Sequence, residues 1–451
     1  MVQRSKLRLG FVGLGRKTFD TALASQYLDD SIHFLSEHCP RLTAVSNLVT
    51  DMEEVHEAVE NLRGKIDVLI VQFTTFVDGR FIEALARQIR VPTIVWAIRE
   101  PNRGVRRRLA LNSLTGANLA SHVLVQEHVA FQFLYGDPGE AVTVNRLTAL
   151  LRYFEAYRKM RSFTVVTLGD APDGFQFSLP HRRAQQQLGI HMESLDLQET
   201  FARAESVPDD AVISVLDDVR RRVRGLDRQP RDAVLKFAKM QHVLRQDLAR
   251  LGADAVAVRC WPEFFTEFGA AACSTVSALI EDGIVASCEA DVLGALSMDV
   301  VSCLTGSPAY LGDLVELDES TGAMTFWHCG AGAFSLARPT EGATAGEHPN
   351  RAIGFTLEFG LKPGRVTIFR LGEDVDGGVR ALVSSGTVLD EPQRFLGTSG
   401  RVVLDGPEPP LQRLTRVLEA GWEPHYALAY GDVADWLVKL CGQFGIEAMM
   451  F

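Results

Sequence analysis

The sequence has no surplus of basic charge, no thiol pairs at metal-finger spacing and no long apolar run, and each absence removes a class of function. Lysine and arginine number 46 against 57 aspartates and glutamates, a formal net charge of -11. A protein that works on a polyanion needs a basic face, so nucleic acid is not an expected partner. The short runs Arg106-Arg107-Arg108 and Arg220-Arg221-Arg222 read as solvated surface. The seven cysteines, Cys39, Cys260, Cys273, Cys288, Cys303, Cys329 and Cys441, are scattered and odd in number. That pattern argues against a disulfide framework and for reduced thiols in a cytoplasmic protein. Leu9 to Leu14 is too short and too broken by glycine to be the apolar core of a signal peptide, and no other run approaches a membrane span, so no membrane partner is expected. Repeats of solenoid period and low-complexity segments are also missing.

What is present is a chain of 451 residues, too long for one core, with two kinds of periodicity. Leu7 to Gly13, Thr43 to Leu48, Asp67 to Phe73 and Thr93 to Ile98 read as buried strands, with helical patterns over Met52 to Leu62 and Phe81 to Ile89 between them. This alternation predicts a parallel, doubly wound sheet over residues 1–160. A second α/β domain is expected over 161–345, from the strand at Phe163 to Gly169 through helices such as Arg231 to Leu251. Past about residue 345 short alternating runs separated by Pro-Gly and Asp-Gly turns predict a β-rich, barrel-like domain over 346–451. The segment from Pro339 to Pro349 is the most linker-like in composition.

The candidate chemistry gathers where two strand-like runs end. Ala255 to Trp261 delivers Glu263, and Gly283 to Cys288 delivers Glu289 and Asp291. In open α/β sheets ligands sit outside the carboxyl ends of the strands, which makes these carboxylates candidates for one pocket. Each also has a structural reading: Glu263 can pair with Arg259, Asp291 can cap the following helix, and Asp313 can face solvent from a strand edge. His328 in Trp-His-Cys-Gly and His425 in Glu-Pro-His-Tyr supply imidazole, with His425 expected on a loop. Carboxylates plus imidazole suit an oxygen-preferring divalent ion, Mn²⁺ or Mg²⁺, better than structural zinc. Gly13-Leu14-Gly15 is only a partial dinucleotide fingerprint, with Thr18 in the third glycine's place. Arg16 remains a loop cation at a strand end, and Asn112 to Asn118 is a polar stretch that reads as a helix start or as a lining for a polyol.

Four motifs, Cys260-Trp-Pro-Glu263, Cys288-Glu-Ala-Asp291, Phe326-Trp-His-Cys-Gly-Ala-Gly332 and Glu423-Pro-His-Tyr-Ala-Leu-Ala-Tyr-Gly-Asp432, together resemble the L-fucose/L-arabinose isomerase superfamily, in its fucose-isomerase-like branch. The resemblance covers nearly the whole chain, including Gly15 to Asp20 and Leu357 to Gly364. It implies two α/β domains and a β-rich C-terminal domain, a homo-oligomer (hexamer or trimer) with a site shared between subunits, and aldose–ketose isomerisation at a Mn²⁺ site, with Mg²⁺ or Co²⁺ as alternatives. Asp291 and His425 match the superfamily's aspartate and histidine ligands. The superfamily's glutamate belongs on the segment leading into Ala270 to Leu279, where this chain has Ala and Cys, so Glu263, Glu267 or Glu289 must replace it; Glu263 is the choice made here. Arg16 matches an arginine that reaches the sugar of a neighbouring subunit.

The resulting expectation is an isomerase acting on an open-chain monosaccharide through an enediolate. Glu263 and Asp291 serve as metal ligands and as the acid–base pair, and His425 is the third ligand. Glu289, His328, Trp96 and Asn118 are sugar contacts or support, although a large aromatic beside a strand end is more often core. Two alternatives stand beside it: an isomerase or epimerase for a sulfonated or phosphorylated sugar received by Arg16, Arg99 or Arg103, and a non-catalytic sugar-binding protein on the same scaffold.

Overall fold

The computed structural model describes residues 7–105 and 107–451, so Arg106 of the first basic run lies outside the described residues. The chain divides into two compact units, Met1–Glu155 and Ala156–Phe451.

In the first unit β1 (Leu9–Leu14), β2 (Leu42–Ala44), β3 (Val68–Phe73), β4 (Thr93–Ala97) and β5 (Phe131–Tyr135) form one parallel sheet in the order β2-β1-β3-β4-β5. β1, β3 and β4 are buried along their whole length, the pattern of strands covered by helices on both faces. One face packs Val12, Val71, Phe73 and Val95 against helices that include Met52–Leu62 and Gly79–Ile89. Asp51 and Glu54 close a reciprocal capping box at the start of Met52–Leu62, so that helix begins where its polar residues dictate. Trp96 lies between Phe11 and Phe34, fully buried, with its indole N–H donated to the Gly136 carbonyl at 2.8 Å. The ring is therefore core, which corrects the expectation of a sugar contact. Asn118 sits on an exposed face of the helix Ser113–Gln126, so the polar stretch is mainly the start of that helix.

The second unit contains a parallel sheet in the order β7-β6-β8-β9, from β6 (Phe163–Leu168), β7 (Ile190–Leu195), β8 (Ala255–Val258) and β9 (Val285–Cys288). It also contains a nine-stranded sheet. Six of its strands are β10 (Ala309–Asp318), β11 (Ala323–His328), β14 (Gly364–Glu373), β15 (Val379–Val388), β16 (Thr398–Leu404) and β17 (His425–Tyr430). They pair antiparallel around a closed ring, β10-β11-β16-β15-β14-β17 and back to β10. The remaining three lie outside the ring: β12 (Thr344–Glu347) pairs with β13 (Gly354–Gly360), β13 runs parallel to β16, and β18 (Ala448–Met450) runs parallel to β15. The α/β sheets and the barrel-like β domain are as the periodicity predicts. Two barrel strands, β10 and β11, lie before residue 345, and the linker-like segment is a turn followed by β12.

The helix Val292–Thr305 is buried along nearly its whole length and packs on β8, β9, β10, β14 and β17, which ties the parallel sheet to the barrel. A buried cation ties the same helix to the parallel sheet: Lys159 Nζ lies 2.7 Å from Asp254 and 2.6 Å from Asp299, and Asp254 also accepts the Thr164 backbone N–H. Removing one partner of such a network strands the rest without compensation, at about 3–5 kcal/mol. Lys159→Ala is expected to lower the urea-unfolding free energy by about that much; a loss typical of a surface pair, below about 1 kcal/mol, contradicts the assignment.

Candidate active site

The site grows from the turn after β9. Glu289 and Ala290 both adopt left-handed backbone, with φ of 58° and 56°, a conformation that costs side-chain-bearing residues about 1–3 kcal/mol each. The turn is pinned from both sides: Ala290 N–H donates to the Val258 carbonyl, the Ser178 hydroxyl donates to the Glu289 carbonyl, and Val292 N–H donates to the Ser178 carbonyl. Strain held this firmly aims the Glu289 side chain while leaving Asp291 to start the next helix.

Asp291 is fully buried, and both its oxygens accept hydrogen bonds. Its Oδ1 accepts the Gly294 N–H at 2.7 Å as an N-cap, and its Oδ2 takes Arg370 Nη1 at 2.5 Å and His425 Nδ1 at 2.9 Å. Burial pushes its carboxyl up, but Arg370 and His425 outweigh that and bring it down to about 2. Gly294 leaves room for this arrangement, because a Cβ there would overlap Asp291 Oδ2 and crowd Arg370 Nη1.

His425 is the first residue of β17, not part of a loop, and is wholly buried. Since Asp291 only accepts, His425 Nδ1 donates, and Nε2 is left facing away from it. That Nε2 lies 3.0 Å from Glu289 Oε2 and 3.6 Å from Asp313 Oδ1. Asp313 is the residue opposite His425 in the β10–β17 register, which is why the two meet. Burial opposes charge on His425, yet the Asp291 and Glu289 carboxylates raise it to about 10. The two outer carboxylates diverge. Burial raises Asp313, with His425 opposing only in part, whereas at Glu289 the interaction with His425 overcomes burial and lowers it.

His328 is buried at the end of β11, its ring 5.7 Å from that of His425. Its Nδ1 accepts the Cys329 backbone N–H at 2.9 Å, so the neutral ring carries its proton on Nε2. Phe177 stands edge-on to His425 at 5.3 Å and continues through Phe175 to Trp261 as an aromatic wall. His328 Nε2 is buried without a hydrogen-bond partner among the described residues, whereas His425 Nε2 faces Glu289 Oε2. Two carboxylates and one imidazole nitrogen converging in this way match the donors an oxygen- and nitrogen-preferring divalent ion takes.

The expected residues fare differently. Glu289, Asp291, His328 and His425 come together. Glu263 does not join them through any hydrogen bond or ion pair: both its oxygens lie 2.8 Å from the Arg259 guanidinium, which also holds its pKa down against burial. Glu267 pairs with Gln198. In the first unit Arg16 is exposed after β1 with its guanidinium 6.0 Å from the Phe76 ring, while Arg99 is paired with Glu140 and Arg103 with Asp20. Sequence reasoning passed over Arg370 and Phe177, and set Asp313 aside as solvent-facing. A lone arginine inside the apolar run Ile368 to Leu371 was the available signal for the first.

Two outcomes follow from Asp291. Its ionisation contributes stability that is fully present above its ordinary value of 3.8 and is lost as pH falls towards 2, on the order of 2 kcal/mol. Asp291→Asn is expected to flatten the acid limb of the unfolding free energy measured between pH 5 and 2.5. Gly294→Ala, which crowds the same carboxylate, is expected to cost about 1–3 kcal/mol in urea melts; an unchanged melt contradicts the packing described.

No family model matches the chain. It is similar to the sulfoquinovose isomerase of Priestia aryabhattai, 40% identical over 444 residues that cover 98% of both chains. It is also similar to that of Alkalicoccus urumqiensis, 40% identical over 442 residues, 97% of this chain and 98% of the relative. That of Clostridium sp. (strain MSTE9) is 33% identical over 455 residues, 99% and 100% of the two chains. Identity at this level across both α/β sheets and the barrel shows the family, and it removes the non-catalytic alternative: the chain belongs to the sulfoquinovose isomerases and is an aldose–ketose isomerase, an intramolecular oxidoreductase.

Proposed function

We propose that this enzyme interconverts the aldose and ketose forms of a sulfonated sugar in its open chain, a reading supported by relatives named sulfoquinovose isomerase. That name is the observation that carries the reading, and it favours the anionic-sugar alternative over a neutral monosaccharide. The motifs around Glu289, His328 and His425 support placing the family within the L-fucose/L-arabinose isomerase superfamily.

Shifting a carbonyl between adjacent carbons means taking a proton from a weakly acidic carbon and returning it next door. Glu289 and Asp313, the two carboxylates that face His425 Nε2, form the acid–base pair in this reading. Asp291 orients His425 rather than moving a proton, since its oxygens already accept from Arg370, His425 and Gly294. Glu263, tied to Arg259, braces the loop after β8. The Nε2–H of His328 donates to a sugar oxygen.

Glu289, Asp313 and His425 would hold a divalent ion, Mn²⁺ with Mg²⁺ or Co²⁺ as substitutes. Such an ion supplies Lewis acidity to the oxygens of the two reacting carbons. Arg16 is the favoured sulfonate partner because Arg99 and Arg103 are already paired. In a homo-oligomer, hexamer or trimer, it would serve the site of a neighbouring copy.

The deciding experiment follows ketose formation from sulfonated and neutral aldoses by protein stripped with chelator and re-supplied with Mn²⁺. Metal-dependent turnover of sulfoquinovose well above that of neutral sugars is expected, and equal or better turnover of neutral sugars overturns the substrate assignment. Glu289→Gln and Asp313→Asn are expected to lower kcat by about 10²–10⁴-fold, against a change of less than about tenfold for Glu263→Gln. Arg16→Met is expected to raise KM for the sulfonated sugar while leaving neutral ones unaffected. If Glu263→Gln is as damaging as Glu289→Gln while its fold is intact, the base belongs to Glu263.

A further inference from the structure

A second group of ligand-type side chains, none of them used in the reaction, includes the residue that follows His328. Cys273 opens the helix Cys273–Glu281 and is buried. Cys329 follows β11 and is partly exposed, and His348 is the buried residue after β12. The two sulfurs are 3.6 Å apart, and one ring nitrogen of His348 lies within 4.8 Å of both. The plain account is a thiol–thiol contact beside a core histidine, whose ring packs edge-on to Phe265 at 4.8 Å.

That account leaves the convergence itself unexplained, since the three residues come from a helix start, a barrel strand end and the β12–β13 connection. Zinc–sulfur bonds of about 2.3 Å at a tetrahedral angle set two sulfurs about 3.8 Å apart. The observed separation of 3.6 Å therefore accepts one ion between the sulfurs with almost no movement. Two thiols and an imidazole select a soft or borderline ion, whereas the carboxylate-rich group at His425 selects a harder one.

We propose that Cys273, Cys329 and His348 form a thiolate site for Zn²⁺, separate from the Glu289–Asp313–His425 group. On binding, two S–H protons leave to solvent as two sulfur–metal bonds form, with no change of oxidation state. The backbone N–H of Asn350, 3.3 Å from His348 Nδ1, makes a long contact that ligation through this ring must weaken. The site touches the active site through one atom: Cys329 Sγ is 3.3 Å from His328 Nδ1. Drawing that sulfur onto an ion withdraws it from His328, so occupancy of the thiolate site lowers turnover without any ion leaving the other group.

Cobalt titration of the chelator-stripped full chain tests this, because only a thiolate ligand gives Co²⁺ a near-ultraviolet charge-transfer band. One thiolate-bound Co²⁺ per chain is expected, displaced by Zn²⁺. The band is lost in Cys273→Ser, retained at about tenfold or more weaker affinity in His348→Gln, and unchanged in Glu289→Gln. That last arm separates failure of this site from failure of the isomerase reading. Alkylation of the wild-type chain, mapped by mass spectrometry, covers the case of a misfolded variant: Zn²⁺ is expected to protect Cys273 and Cys329 but not Cys303. A folded wild type that takes up Co²⁺ with no thiolate band, a band that survives in Cys273→Ser, or absence of protection overturns the proposal.

Discussion

The second unit is organised by one carboxylate. Asp291 ends the turn after β9, caps the helix Val292–Thr305, receives Arg370 from β14 and orients His425 on β17. Four elements are thereby fixed to a group with no contact to water. A buried carboxylate of this kind is costly unless it is paired and hydrogen-bonded, and here both oxygens are. The arrangement determines which nitrogen of His425 faces Glu289 and Asp313, and through it what the site can bind. Arg370 pays part of its own desolvation through Asp291, and its Nε and Nη2 remain without hydrogen-bond partners among the described residues. The strongest buried pair of the site is thus on the side away from the reacting groups.

Much of the fold was legible because burial enforces periodicity. The helices Met52–Leu62 and Arg231–Leu251 and the strands Leu9–Leu14 and Val68–Phe73 fall where the apolar pattern puts them. The barrel's closure was not legible. β10 and β11 are separated from the other barrel strands by a Gly-, Ala- and Thr-rich segment that resembles a linker in composition, and only the pairing of β15 with β16 closes the ring.

The site was half legible, for a reason that lies in the chemistry. Glu289, Asp291, His328 and His425 carry side chains that stand out at strand and helix ends. Sequence spacing does not show how a carboxylate divides its lone pairs, so a cap and a ligand look alike. Glu263 has Arg259 four residues before it, and that local partner claims it in the folded chain. Asp313 could be recognised only through its register with His425, a pairing across more than a hundred residues that no local pattern encodes.

The position of His425 along the chain has a consequence for biosynthesis. Glu289, Asp291, Asp313 and Arg370 all emerge from the ribosome before it, and the strand it begins is the one that joins β10 to β14. Until β17 arrives the ring of strands is open, and the acidic residues lack the imidazole that lies among them. The first unit can complete its sheet while the rest is still being made, but the second holds its carboxylates unassembled until late. A chain released before residue 425 therefore carries a broken barrel as well as a missing imidazole, and quality control can recognise it by its exposed strand edges rather than by lost activity.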